Sequence, residues 1–235
     1  MKSYAITAVA AALLLTSPLS VNSGNAYDPV IIPADFTTVI DNPLFSMPDA
    51  RKTYFRGQTD EGPETGEILV TGATRFFMGV RTLVLRDRVY LNGVLKEEAL
   101  DYVAQHKNGA VWYFGEDVDN YEDGVLVDHH GTWHAGVKGA LPGILMLASP
   151  KVGQVYREEY FPGKAEDMAK VLSVTETVRT PLGFFTNCLK TENWTPLEPG
   201  VKENKFYCAQ AGGLVQEIGL STGERSVLYK IKNCF

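Results

Sequence analysis

The chain has 235 residues, 28 acidic against 22 basic side chains, a net charge of −6 and 45% hydrophobic residues. An acidic balance gives no electrostatic reason to hold nucleic acid or an anionic membrane surface. The length can bury a sizeable core as one domain, and no linker, charge run or internal repeat marks a boundary.

Residues 1–26 read as a secretory signal peptide. Met1 and Lys2 precede the apolar run AITAVAAALLLTSPL, which leads to the small-residue approach SGNA. Thr7, Thr16, Ser17 and Pro18 interrupt the run, and it falls short of the ~20 apolar residues of a membrane span. Cleavage after Ala26 leaves a single domain over residues 27–235 that is secreted or periplasmic, has no membrane span and carries a net charge of −7.

From there the chain reads as strands separated by turns. KTYFRG and GEILVTGATRFF come first, then RTLVLRDRVYL, in which Leu83, Leu85, Val89 and Leu91 share one side. Asn92-Gly93, Asn108-Gly109 and Asp123-Gly124 supply the positive φ of tight hairpins, so VLKEEALDYVAQH, AVWYFGED and VLVDHH follow as successive antiparallel strands. The single helical stretch expected is short, around GALPGILMLAS, because Pro142 and Gly143 limit it. GQVYREEYF, MAKVLSVTETV, GFFTNCLKTENW, KFYCA, GLVQEI and RSVLYKI complete the series. Turns at this spacing argue for an all-β, single-domain antiparallel meander. Open edges favour its closing into a barrel, half-barrel or sandwich, and a barrel of roughly ten strands has room for an internal cavity.

Export makes disulfides chemically accessible to the three cysteines. Cys188 and Cys208 lie on strands joined by a turn-like segment and are the favoured pair, with Cys234 left free or pairing between chains. Three unbridged buried thiols is the alternative, since connectivity does not follow from sequence.

Four blocks carry a resemblance: IDNPLFSMPDARKTYFRG, AVWYFGEDV, GTWHAGVKGALPGILMLASPKVGQVYREEYFPGKAED and TENWTPLEPGVKENKFYCAQAGGLVQEI. They are similar to the blocks of a widespread family of uncharacterised secreted bacterial proteins. The match falls on Asn42, Pro43, Phe45, Trp112, Tyr113, Gly115, Glu116, Asp117, Trp133, Gly136, Glu159, Glu166, Asp167, Glu192, Trp194 and Glu198. It departs at Ser46-Met47-Pro48 and at Cys208, which stands where the family pattern has a small residue. The resemblance implies an exported protein and supplies no activity.

The segment from 111 to 136 holds three of the four histidines and many acids. Strict alternation puts Trp112, Phe114 and Glu116 on one face, so a carboxylate accompanies large rings. Buried there, Glu116 would have a raised pKa and suit general acid/base work, while the bland alternative is a carboxylate capping turn amides. Glu159, inward on its strand, is the second carboxylate, with Arg157 as an ordinary ion-pair partner. Glu116, Glu159 and His134 are thus the catalytic candidates. Asp128, His130 and His134 are the workable metal set, although their spacing fits no established zinc pattern and exposed turn histidines are the plainer account.

Trp112, Tyr113, Trp133, Tyr156, Tyr160, Glu192 and Trp194 are the candidate ligand-binding lining. The leading expectation is a barrel-like protein binding a small apolar or aromatic molecule, the rings giving contact area and the acids orientation. Alternatives are a hydrolase, lyase or isomerase working through a carboxylate pair without an organic cofactor, and a metal-binding protein. No Gly-x-Ser-x-Gly elbow, phosphate loop or nucleotide fingerprint is present.

Overall fold

The computed structural model describes residues 27–233; the signal-peptide expectation and Cys234 lie outside them. The strands are β1 (Phe36–Thr37), β2 (Arg51–Thr59), β3 (Gly62–Phe77), β4 (Val80–Leu91), β5 (Val94–His106), β6 (Val111–Glu122), β7 (Val125–Asp128) and β8 (Trp133–His134). After them come β9 (Leu141–Met146), β10 (Val155–Arg157), β11 (Glu159–Tyr160), β12 (Met168–Thr180), β13 (Gly183–Trp194), β14 (Lys202–Cys208), β15 (Gly213–Gly219) and β16 (Arg225–Asn233). The sheet runs β10-β12-β13-β14-β15-β16-β2-β3-β4-β5-β6-β9-β11, a nearly closed antiparallel barrel of 13 strands. Its two end strands are consecutive in the chain, joined by Glu158, so the seam falls at one residue.

Turn chemistry drives the meander, as expected. Asn92 and Gly93 (φ 53° and 80°), like Asp123 and Gly124 (φ 49° and 78°), take positive φ at both central positions. Asn108-Gly109 differs, because only Gly109 is positive and the loop closes through His106 N–H to the Ala110 carbonyl. A fourth tight turn, Met78-Gly79 (φ 51° and 80°), joins β3 to β4 without the usual Asn or Asp.

The expected helix is a strand. Leu141–Met146 forms β9, pairing with β6 on one side and β11 on the other. Gly143 makes that possible, since a Cβ there would meet the Glu158 carbonyl oxygen at 2.1 Å. Among the described residues the helical segments are two 3-10 turns, Pro33–Asp35 and Ala209–Ala211.

Leu85, Val103, Phe55, Val70, Leu189, Val215 and Leu228 are almost completely buried within the barrel. A second apolar layer lies outside it, where β1 pairs with β5 and Phe36 packs edge-on to Trp112 and Phe114 at ring distances of 6.0 and 5.5 Å. Asn42, in the Asn-Pro block, fastens this strap. Its amide donates to the Gly109 and Leu147 carbonyls, and its own N–H joins that of Asp41 on Gln105 Oε1. Cys188 and Cys208 form a disulfide between β13 and β14, with Cα atoms 4.4 Å apart.

Candidate functional site

The polar centre of the barrel is created by a bulge. Asp101 of β5 faces Glu116 of β6, whereas two residues further along β5 Val103 faces Tyr113, so β6 carries one extra residue between these pairs. Gly115 absorbs it, with φ 125° and no room for a side chain: a Cβ would lie 2.2 Å from the Trp133 carbonyl oxygen. The face therefore switches within the WYFGE run. Tyr113 accompanies Glu116 inward, while Trp112 and Phe114 turn out to the Phe36 layer, which corrects the pairing expected from strict alternation.

Tyr113 donates its hydroxyl to Asp101 Oδ1 at 2.6 Å and meets Trp133 edge-on at 5.4 Å. Trp133 sits opposite Glu116 on β8. All four side chains are buried, Asp101 at 1% and Glu116 at 2% exposure. Asp101 Oδ2, Glu116 Oε2 and the Trp133 indole N–H have no hydrogen-bond partner among the described residues.

At the seam a second departure from alternation brings in two more acids. β10 pairs with β12 and β11 with β9, so the backbone between them jogs instead of continuing one strand. Glu158 N–H and Glu159 N–H both reach the Asp167 carbonyl, at 2.8 and 3.2 Å, and both glutamates are buried. Arg157 lies over the rings of Tyr160 and Tyr27 at 5.0 and 5.7 Å. Glu158 accepts from Asn193 Nδ2 at 2.7 Å, and Lys205 pairs with Glu203 at 3.1 Å and Glu217 at 3.9 Å.

Burial dominates the electrostatics. It pushes the Glu116 carboxyl well above its ordinary range, helped by the charges of Glu159 and Asp101. Asp101 is raised for the same first reason, although its hydrogen bond from Tyr113 works the other way. Asp167 is raised to about 7 by desolvation and by Glu159 and Glu158. Tyr113 and Tyr156 are both held firmly in the phenol form, first by burial and then by neighbouring carboxylates. Lys205 loses solvation, but Glu203, Tyr207, Glu158 and Glu217 more than offset this and keep it charged.

The expected lining thus divides. Tyr113, Trp133, Glu116 and Glu159 are buried around Asp101, whereas Tyr156 is buried beside Glu158, Tyr207 and Lys205. Trp112 and Tyr160 pack on the outer layers, against Phe36 and Tyr27 respectively. Glu192 pairs with Lys202 at 2.9 Å and Trp194 lies under the same ammonium, so both face away from the interior.

His134 is likewise outside, one residue beyond inward Trp133. Its Nε2 lies 2.7 Å from Asp117 Oδ1, in a partly buried group with Tyr102, itself fully buried, and the half-exposed Arg75. The metal set does not assemble, because Asp128 accepts from the His130 backbone N–H and from Asn120 while His134 is bound to Asp117. No group of three potential metal ligands forms among the described residues.

Sequence reasoning missed Asp101, Asn193, Lys205 and Tyr207 as interior groups, and it named Asp167 only among the residues of the resemblance. Asp101 had a readable signal, an acid in the otherwise apolar half of VLKEEALDYVAQH. The others depend on which strands become neighbours.

One row of facing residues crosses the interior: Val70, Leu85, Asp101, Glu116 and Trp133. A narrow recess lined by Phe45, Met47, Arg51, Phe55, Ile68 and Val70 opens over the first of these. Its free volume of about 20 Å³ holds a water or so. At strand spacing, Val70 lies about 10 Å from Asp101. Chemically, two facing carboxyls in apolar surroundings can share or move a proton, or accept hydrogen bonds from a ligand.

Among the described residues no helix is long and apolar enough to cross a membrane. No protein-family model matches the chain, and no curated protein matches it. Among solved structures the chain is similar to a candidate lipoprotein from Parabacteroides distasonis, at 12% identity and a TM-score of 0.43, over 80% of this chain and 98% of that one.

Proposed function

We propose that this is an exported small-molecule-binding protein that holds the apolar or aromatic body of its ligand inside the barrel, against Tyr113, Trp133 and Tyr156. The observation that carries this reading is the ring-lined pair Asp101 and Glu116, each with a buried, unpartnered oxygen. Such atoms are costly in a barrel that only has to be stable, and they fit a place where a ligand supplies the missing partner. The disulfide and the leader-like N-terminal sequence support an extracytoplasmic location.

Native mass spectrometry of protein purified from the compartment to which it is exported tests the reading. A stoichiometric small molecule, lost on unfolding and regained on refolding, is the expected result. Its absence at every purification scale, with no saturable binder in a metabolite extract, would refute it.

The facing acids also favour one second reading, a cofactor-independent hydrolase, lyase or isomerase that uses Glu116 with Asp101 or Glu159 as acid and base. Glu116→Gln separates the two. An acid/base catalyst would lose about 10²–10⁴ in turnover of the recovered molecule, whereas a carrier shows no turnover to lose.

A further inference from the structure

The interior is not uniformly compensated. On the side of β13, β14 and β15, Lys205 serves Glu203 and Glu217, and Asn193 serves Glu158. On the side of β5, β6 and β8, Asp101 and Glu116 have no lysine or arginine within ion-pair distance among the described residues. Their one described side-chain donor is the Tyr113 hydroxyl, and it occupies only Asp101 Oδ1. The other oxygens, Asp101 Oδ2 and Glu116 Oε2, are buried and without a hydrogen-bond partner among the described residues.

Resting on the binding reading above, we infer that the ligand's head is a protonated amine, which donates N–H to Asp101 Oδ2 and Glu116 Oε2 and rests against the faces of Tyr113 and Trp133. Three features agree on this chemistry. Both orphan atoms are carboxyl oxygens, which become pure acceptors once a bound cation stabilises the ionised form, so a head that brings donors and positive charge matches them. Both belong to acids, and a positive head turns their mutual repulsion into attraction. The adjacent rings, perpendicular and 5.4 Å apart, offer the electron-rich faces that attract organic cations. An anionic or purely neutral apolar head would leave the two oxygens unmatched. A bare metal ion is a poorer fit, because a third protein ligand does not gather with the pair.

The test is a matched titration of the full exported protein, read by tryptophan fluorescence and calorimetry. The probes are 2-phenylethylammonium, its neutral counterpart 2-phenylethanol, its anionic counterpart 3-phenylpropionate, and calcium chloride. Saturable binding of the ammonium, at least about tenfold tighter than the other three, is expected. Glu116→Gln and Asp101→Asn should each weaken it about tenfold or more, while Arg75→Ala on the outer face leaves it unchanged.

Equal binding of the alcohol, indifference of the ammonium to both substitutions, or binding of calcium alone would overturn the inference. If a variant fails to fold, the order of the four probes on the wild-type protein still decides. A co-purified neutral or anionic molecule, with no ammonium binding, would sink the amine while leaving the binding reading intact. Failure of every probe, with nothing co-purified, would sink both.

Discussion

Asp167→Asn isolates one of the interior charges with little collateral change. The Asp167 carbonyl, which receives the Glu158 and Glu159 N–H groups, belongs to the backbone and survives the substitution. The wild-type carboxyl is raised from 3.8 to about 7 by burial, then by Glu159 and Glu158. Because the folded protein holds this proton more tightly than the unfolded chain, the group's relative contribution is most favourable below about pH 4 and is lost as pH climbs through about 7. At about 1.4 kcal/mol for each tenfold difference in proton affinity, the shift corresponds to roughly 4 kcal/mol at most. Partial contact with solvent and the polar amide that replaces the acid reduce the expected gain to about 2–3 kcal/mol at pH 8. Urea unfolding at half-unit steps from pH 4 to 8, for both proteins, measures it. The two stabilities should be similar at pH 4 and separate in favour of the variant between pH 5 and 8. Glu116, Asp101 and Asp87 are raised in the same direction, so the wild-type slope persists in the variant and only the difference curve is diagnostic. A flat difference curve, or a variant less stable at pH 8, would refute the idea that Asp167 is strained by its charge.

The remaining predictions concern geometry. Gly115→Ala should cost at least about 3 kcal/mol or prevent folding, since it combines positive φ with a backbone contact at 2.2 Å. Gly93→Ala, also at positive φ but in open space, should cost only about 1–2 kcal/mol in the same urea series. Replacing Cys188 and Cys208 together by Ala should lose about 3 kcal/mol, the loop-closure value for a separation of 20 residues, and dithiothreitol should lower wild-type stability by a similar amount. Arg75→Ala, which breaks the partly exposed contacts to Asp117 and Tyr102, should shift thermal stability by less than about 1 kcal/mol.

What was legible in the sequence follows from how locally each feature is encoded. Asn92-Gly93 and Asp123-Gly124 announced their hairpins because two residues suffice to fix a turn. Met78-Gly79 makes the same turn without the usual first residue and left only its glycine as a sign. The bridged cysteines were legible because adjacent antiparallel strands put them side by side. Glu116 and Glu159 are legible as inward carboxylates, and Tyr113 and Trp133 as lining, but Asp101 opposite Glu116 is not, and the ring expected on the face of Glu116 is the wrong one. Alternation is a period-two rule, and one extra residue at Gly115 exchanges Tyr113 for Trp112. The glycine between two aromatics and an acid was the available clue. At Glu158 the rule fails for a different reason: the barrel closes there, and β10 pairs forward with β12 while β11 pairs back with β9. Asp167 and Lys205 enter the interior through that same non-local pairing.

The distribution of these departures bears on function. A barrel whose interior had only to be stable would pack aliphatic side chains along the row from Val70 to Trp133, as it does at Val70 and Leu85. Instead Asp101 and Glu116 occupy the next two places, at some cost in stability because burial disfavours their ionised forms and no described basic side chain pairs with either. Register shifts recur along several strand pairs, but the Gly115 bulge turns Tyr113 toward those acids, and Glu159, just past the Glu158 seam, is buried near enough to act on both of them. Bulges cluster where a side chain has to be re-aimed, and buried polar groups without partners are a recurrent mark of sites. The Gly115 bulge re-aims Tyr113 into the region of Asp101 and Glu116, while the Asp117, His134 and Arg75 group has its hydrogen bonds satisfied within itself. The interior acids are therefore the stronger place to look for a ligand.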